Sequence, residues 1–304
     1  MAWIHDVPPI EFDGNTRFTV YGTGDWQLGS KSASGGYVKS WISRVSKDPN
    51  GIVGFFGDLQ DCDRPTTRSI KRAAFSERTE VLLEESEHRI RTIEKEIIPL
   101  IRPLAEMRLP MLGMLAGHHY QDLYTEIDNR LEKQTSMAYI CKRLTELTGR
   151  EVPYLGIMSA WVHLYFVRKG TRKVVKKTLH IQHGTGGGGG IAYALNRLQK
   201  TSQGFYADAY IRAHDCQQVS ARICVAHPAG SGKKARVKHR EIVLLNIGSA
   251  TTTPVITRGD PDYAENGMMN PLPRGWGKVH VDIRKASRMD DQNQSFYGSM
   301  HVEL

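Results

Sequence analysis

The chain has 304 residues, 40% of them hydrophobic, enough for a sizeable buried core in one large domain or two small ones. Nothing in it approaches the roughly 20 apolar residues of a membrane span, and its opening, MAWIHDVPPIEFDGN, lacks the basic and apolar regions of a signal peptide, so a cytoplasmic protein is expected. With no such span no membrane is expected as a partner; Cys62, Cys141, Cys216 and Cys224 are too few and scattered for a disulfide framework, and a formal charge of +9 favours phosphate-bearing partners.

FTVYG is an apolar run that breaks into glycines around Asp25, which predicts a strand ending in a loop. GIVGFFGDLQD repeats the pattern and delivers Asp58. From about Ser69 to Leu100 the spacing of Val81, Leu82, Ile90, Ile93, Ile97 and Ile98 predicts an amphipathic helix, closed by Pro103 and Pro110. LPMLGMLAGHHY is again strand then loop and carries His118 and His119. The run from Asp122 to Gly149 reads as a helix ending at its glycine.

Beyond Val152 the pattern changes to adjacent strands joined by a Lys-Gly-Thr-Arg turn, then a glycine run, the helix IAYALNRLQK, the strand ADAYIRAHD and a strand-rich tail. One α/β domain over residues 1–304, with a helical excursion between about 69 and 149, is the economical reading. Two basic clusters, RKGTRKVVKK (168–177) and KKARVKHR (233–240), are read first as solvated hairpin tips and second as a nucleic-acid groove.

The glycine run after His183 admits three readings. Gly184, Gly186 and Gly189 fit GxGxxG between a strand and a helix, but five consecutive glycines produce that match by themselves. The acid a dinucleotide site needs, Asp208, precedes its strand instead of following it. A flexible linker explains the glycines but not the company they keep. Asp25, Asp58, His118, His119, His183 and His214 each fall just past a predicted strand, where loops of an α/β sheet converge, and that joint placement points to the rim of a metal site.

In order and loop position these residues resemble the calcineurin-like metallophosphoesterases. Asp25 in GDWQ, Asp58 in GDLQD, GHHY at 117–120, His183 in HGTGGGGG and His214 in AHDC match that family's five successive motifs over about residues 18–216. The closest resemblance is to its phage and bacterial branch, where HG is followed by glycines; ADAYIRAHDC and the tail YAENGMMNPLPRGWGKVHVDI are similar to that branch too. The resemblance implies a four-layer α/β/β/α sandwich with two metal ions at the sheet edge, bridged by Asp58. It places His119 near the leaving group, as general acid or as a donor to a phosphate oxygen.

Three positions depart from the family pattern. Gln27 stands in place of a histidine, His118 in place of an asparagine and Cys216 in place of a histidine. By position, one ion would be held by Asp25, Gln27, Asp58 and Cys216, and the other by Asp58, His118, His183 and His214. The second set suits Zn²⁺, Mn²⁺ or Fe²⁺. The first is weakened by an amide ligand and by a cysteine that is either a soft thiolate ligand or a small buried hydrophobe. His180 is a spare ligand or, three steps along the same strand, faces away; Trp26 stacks on a base or packs in the core.

The expected function is therefore a metal-dependent phosphoesterase with one or two divalent ions, a phosphodiesterase or nuclease acting on a phosphodiester such as DNA, either monomeric or homo-oligomeric. The competing expectation is a noncatalytic binding or scaffolding module that keeps the fold and one ion.

Overall fold

The computed structural model describes residues 3–29, 33–60, 79–127, 130–184, 191–215, 217–229, 236–250, 275–285 and 296–303. In chain order these form β1 (Trp3–Asp6), β2 (Ile10–Phe12), β3 (Thr16–Thr23), α1 (Gly35–Val45), β4 (Gly51–Phe56), α2 (Thr79–Thr92), a π-helical segment (Ile93–Ile97), α3 (Ile98–Ala105) and β5 (Gly113–Leu115). There follow β6 (Asp122–Ile127), β7 (Arg130–Thr135), α4 (Ser136–Thr148), β8 (Ser159–Arg168), β9 (Val174–His183), α5 (Ile191–Gly204), β10 (Ala209–Ala213), β11 (Val219–Ala229), β12 (Arg236–Asn246), β13 (Gly277–Lys285) and β14 (Phe296–Glu303).

Two sheets carry the fold. The first runs β1-β8-β9-β10-β12-β11, with β2 also on β8; the second runs β14-β13-β3-β4-β5. Their inner faces share one core: Phe18, Val20 and Ile52 of the second sheet pack with Val162, Leu179 and Ile211 of the first. The outer face of the second sheet is covered by α1, α3 and α4, through Trp41, Ile101 and Leu144 against Val53 and Phe55. On the outer face of the first sheet, Leu198 of α5 packs on Tyr210, Ile242 and Leu244. These layers, helix, sheet, sheet and helix, are the four-layer α/β/β/α sandwich that the resemblance implies.

Parallel pairing decides where the chemistry lies. β3, β4 and β5 run parallel in one sheet, and β9, β10 and β12 in the other. Parallel strands need crossovers, supplied here by α1 and by α5, so their carboxyl ends collect on one edge.

The region between the second and fourth motifs departs from its expected form. The run predicted as a helix from Asp122 is an antiparallel hairpin, β6–β7, followed by a helix that begins only at Ser136. Thr135 marks the change: its hydroxyl accepts the Ala138 N–H, an N-cap. The helix ends, as expected, at Gly149 in the left-handed conformation. Upstream, Pro103 does not close its helix. Pro99 has no N–H to donate, the preceding turn widens to π geometry with Ile98 N–H bonding Ile93 O, and the helix runs through Pro103 to Ala105 because Ile98, Ile101 and Leu104 are buried.

Candidate metal centre

Each site residue stands at or just past the carboxyl end of a parallel strand: Asp25 and Gln27 after β3, Asp58 after β4, His118 and His119 after β5, His183 as the last residue of β9, and His214 after β10. The loops are laced together by main-chain bonds. Asp25 N–H donates to Gly57 O (3.0 Å), Gln27 N–H to Asp58 O (3.0 Å), Asp58 N–H to Ala116 O (3.1 Å) and Gly184 N–H to Ala213 O (3.2 Å).

The backbone is strained here. Among the described residues, the non-glycine positions with positive φ are Asp25 (50°), Gln27 (46°), Asp58 (53°) and His214 (90°), all of them predicted site residues. Side chains are rarely held there unless the surroundings over-determine them. Close packing does so: a Cβ on Gly117 would lie 2.1 Å from Asp58 Oδ1, and one on Gly57 would lie 2.3 Å from His183 Nδ1. Glycine is required at both positions.

The structure brings Asp58, His118, His183 and His214 together, with one candidate ligand atom from each lying within 4.8 Å of all the others. The three imidazole centroids form a triangle with sides of 4.6, 4.8 and 5.0 Å. Second partners fix the ligand orientation. His183 Nδ1–H donates to Phe56 O at 2.7 Å, which leaves Nε2 with its lone pair directed at the cluster. Asp58 Oδ1 accepts the N–H groups of His118 (2.6 Å) and His119 (3.0 Å), which leaves Oδ2 to face the imidazoles.

Asp58 Oδ2 and His183 Nε2 face each other at 3.0 Å, and both are buried with no other hydrogen-bond partner. Asp25 Oδ1 is a third such atom, while its Oδ2 accepts the His214 N–H at 2.8 Å. Buried polar atoms are normally satisfied, so three orphans at one strand edge fit a cation. The donor set, three imidazoles and a carboxylate, fits Zn²⁺, Mn²⁺ or Fe²⁺.

Protonation follows from the same packing. Burial raises the Asp25 carboxyl, and the neighbouring Asp58 carboxylate adds to the rise against the pull of His183. For Asp58, burial works in the same direction, but His183 and His119 outweigh it and hold the carboxyl below the usual range. Burial, with His183 and His118 close by, pushes His214 down to about 4, so it is a neutral imidazole at neutral pH. Burial opposes charge on His183, and the Asp58 carboxylate overcomes it to raise the pKa.

The remaining predicted residues separate clearly. His119 is near but outside the four-residue cluster, with Nε2 3.8 Å from Asp58 Oδ2 and 23% of its side chain exposed, so solvent and substrate can reach it. Gln27 is tied to Asp58 through its backbone. Cys216, Gly186 and Gly189 lie outside the described residues. His180 is not in the cluster. It stacks on Phe205 with the rings 12° apart, on the opposite face of the first sheet. Trp26 is fully buried, edge-on to Trp41, Phe55 and Trp276, and its Nε1–H donates to Thr23 Oγ1, so it is a core residue and not a platform for a base.

One supporting pair was not foreseen. Arg212 Nε lies 2.9 Å from Asp215 Oδ2, both side chains are 3% exposed, and the guanidinium abuts Gly184, so the pair ties the turn bearing His214 to the end of β9. The visible signal was an arginine inside the apolar run AYIRA.

No protein-family model and no curated protein matches the sequence. Among solved structures, the chain is similar to Vps29 of Entamoeba histolytica complexed with Zn²⁺, at 12% identity over 94% of this chain and 99% of that one, with a TM-score of 0.35. It is also similar to a conserved uncharacterized protein, described as a predicted phosphoesterase, from Streptococcus pneumoniae TIGR4, at 12% identity over 95% and 99%, with a TM-score of 0.31. Likeness at that level decides nothing about the site, whose description rests on this chain's own strands and side chains.

Proposed function

We propose that the chain is a metal-dependent phosphoesterase that works on phosphodiesters, with a nuclease as the most specific form of that reading. The observation that carries it is the cluster of Asp58, His118, His183 and His214, in which Asp58 and His183 are buried and Asp58 Oδ2 and His183 Nε2 have no hydrogen-bond partner beyond each other. Divalent ions bound there would supply Lewis acidity toward a phosphoryl oxygen and a lowered pKa for coordinated water.

The chain's own groups do the rest. Asp58 is held ionised and fixed by two backbone N–H donors, so it needs no reorganisation to serve as a ligand. His119, partly exposed beside it, is placed to give a proton or a hydrogen bond to an oxygen of the substrate. Diesters are preferred to monoesters because the net charge is +9 and the sequence carries two basic clusters, 168–177 and 233–240.

A second reading, a noncatalytic single-ion module, is favoured by one observation. Among the described residues the ligand cluster has four members and excludes Asp25, so the donors in place are those of one ion.

The test is hydrolysis of bis(p-nitrophenyl) phosphate and single-stranded DNA by metal-stripped protein resupplied with Mn²⁺, Zn²⁺ or Fe²⁺, beside Asp58→Ala and His119→Ala. Metal-dependent turnover is expected, lost with the ion in Asp58→Ala and lowered about 100-fold or more with the ion retained in His119→Ala. One bound ion per chain by mass spectrometry, with no turnover in any metal, would decide for the binding module.

A further inference from the structure

The strongly basic character of the chain is concentrated in one stretch. Residues 152–207 contain eight Lys and Arg and no Asp or Glu, so this segment alone carries +8 of the chain's +9. It comprises β8, β9 and α5, and the first two lie side by side in the first sheet.

Alternation along β8 sends Ala160, Val162, Leu164 and Phe166 into the core, and Trp161, His163 and Tyr165 to the outer face. Lys176 and Thr178 of β9 stand opposite Tyr165 and His163, and Ile4 of β1 stands opposite Trp161. α5 packs farther along, over β10 and β12. Among the described residues, the part of this face that α5 leaves open is a cavity of about 530 Å³ lined by Ile4, Trp161, His163, Lys176, Thr178, Tyr206 and Asp208. Tyr206, 71% exposed, and Ile4, 68% exposed, are the two most exposed large hydrophobic side chains among the described residues.

Its carboxylates are already engaged by the protein. Asp208 accepts the Thr178 N–H at 2.8 Å and pairs with Arg240, whose guanidinium sits 3.7 Å from the Tyr206 ring centroid. Asp6 accepts from His163 and Tyr165 at 2.8 and 2.9 Å. The face therefore presents aromatic rings, with Asp6 and Asp208 beside Lys176 and Arg240, and the surplus of positive charge lies toward the β8–β9 tip. The aromatic row along β8 leads to a hairpin tip where Lys169, Arg172 and Lys173 are exposed.

We infer that this outer face of β1, β8 and β9 binds single-stranded nucleic acid, with bases stacked at Trp161 and Tyr206 and the phosphate backbone drawn along Lys176 to the basic β8–β9 tip. Stacking rings beside a cationic track are the chemistry that recognises an unpaired strand irrespective of its sequence. Double-stranded DNA hides its base faces, and a neutral protein partner would have no use for the charge. Trp161 pairs with His180, three residues or about 10 Å along β9 from His183, so a strand lying here ends beside the metal edge. The inference stands whether or not that edge hydrolyses phosphodiesters.

The test is fluorescence anisotropy of labelled oligothymidylate and oligouridylate with the full chain in EDTA, across a salt series. Both oligomers are expected to bind, because nothing on the face selects for a 2′-hydroxyl, and duplex of equal length is expected to bind more weakly. Trp161→Ala with Tyr206→Ala should weaken binding about 10-fold or more with the salt slope unchanged, and Trp161→Phe should restore stacking. Lys169→Glu with Arg172→Glu, at an exposed tip where folding is not at stake, should weaken binding and flatten the salt slope. Because the series is run in EDTA, binding seen there does not depend on an ion at the metal edge, which separates this face from it. The inference is overturned if no oligomer binds, or if the tip and aromatic variants leave binding intact. It is also overturned if the aromatic variants convert a dimer to a monomer by sedimentation without changing nucleic-acid binding, since the face would then be a contact between copies.

Discussion

His180 and His183 stand three residues apart on β9, both nearly inaccessible, yet they occupy opposite faces of the first sheet and have opposite chemistry. His180 lies among Trp161, Phe205 and Tyr210, and burial alone pushes its pKa down to about 4. His183 is as buried, but Asp58 beside it raises its pKa, and its Nε2 faces a cluster of ligands. The first is an aromatic building block and the second a site residue. Burial does not make a histidine functional; the charge it is buried against does.

The largest difference between the two faces is expected in metal binding. His183→Ala should lower the affinity for Zn²⁺ or Mn²⁺ by more than about 100-fold, beyond what loss of a supporting hydrogen bond causes, while His180→Ala should retain the ion. Equilibrium dialysis with elemental analysis measures both, and equal retention by the two variants would erase the contrast. His180→Ala should instead lose about 2–4 kcal/mol of stability in denaturant unfolding, the cost of emptying a packed ring site.

Two glycines sharpen the same contrast. Gly57→Ala places a methyl against His183 Nδ1 at φ +106° and should cost about 2–5 kcal/mol together with the bound ion. Gly170, at φ +71° on the β8–β9 tip, has nothing within 4 Å of an added Cβ, so Gly170→Ala should cost only about 1–2 kcal/mol and leave metal binding alone. Thermal unfolding with and without metal reads both, and similar losses would mean that the site is less tightly packed than its distances indicate.

The pH profile gives a third separation. Because the folded-state pKa of His180 is lowered from 6.5 to about 4, its neutral form supports stability fully above pH 6.5. That support is lost as pH falls toward 4, for a total of about 3 kcal/mol. Unfolding free energies between pH 7 and 4 should therefore flatten by that amount in His180→Phe. If the slope is unchanged, other groups account for it.

The smallest expected effect lies away from both faces. Thr135→Ala removes the cap of α4 and should cost about 1 kcal/mol by chemical denaturation without touching metal affinity.

Much of the site was legible because strand ends have a local signature. An apolar run breaking at a glycine placed Asp25, Asp58, His118 and His119 correctly just past their strands; with no glycine ahead of them, His183 ends its strand and His214 follows its own directly. The hairpin at β6–β7 was not legible: its exposed strand β7 (RLEKQT) has no core face to impose alternation, and its charged residues equally suit a helix. Trp26 read as ambiguous because its neighbours in space, Trp41, Phe55 and Trp276, are far away in sequence.

The sequence by itself determined which residues sit at strand ends, since glycine, proline and apolar periodicity act within a few residues of one another. Only the tertiary structure decided that Asp58, His118, His183 and His214, carried by strands of two different sheets, meet, that Asp58 Oδ2 and His183 Nε2 face each other with no other hydrogen-bond partner, and that His180 turns away. Those outcomes depend on parallel pairing between strands distant in the chain and on the packing of two sheets across one core, and neither leaves a local mark in the sequence.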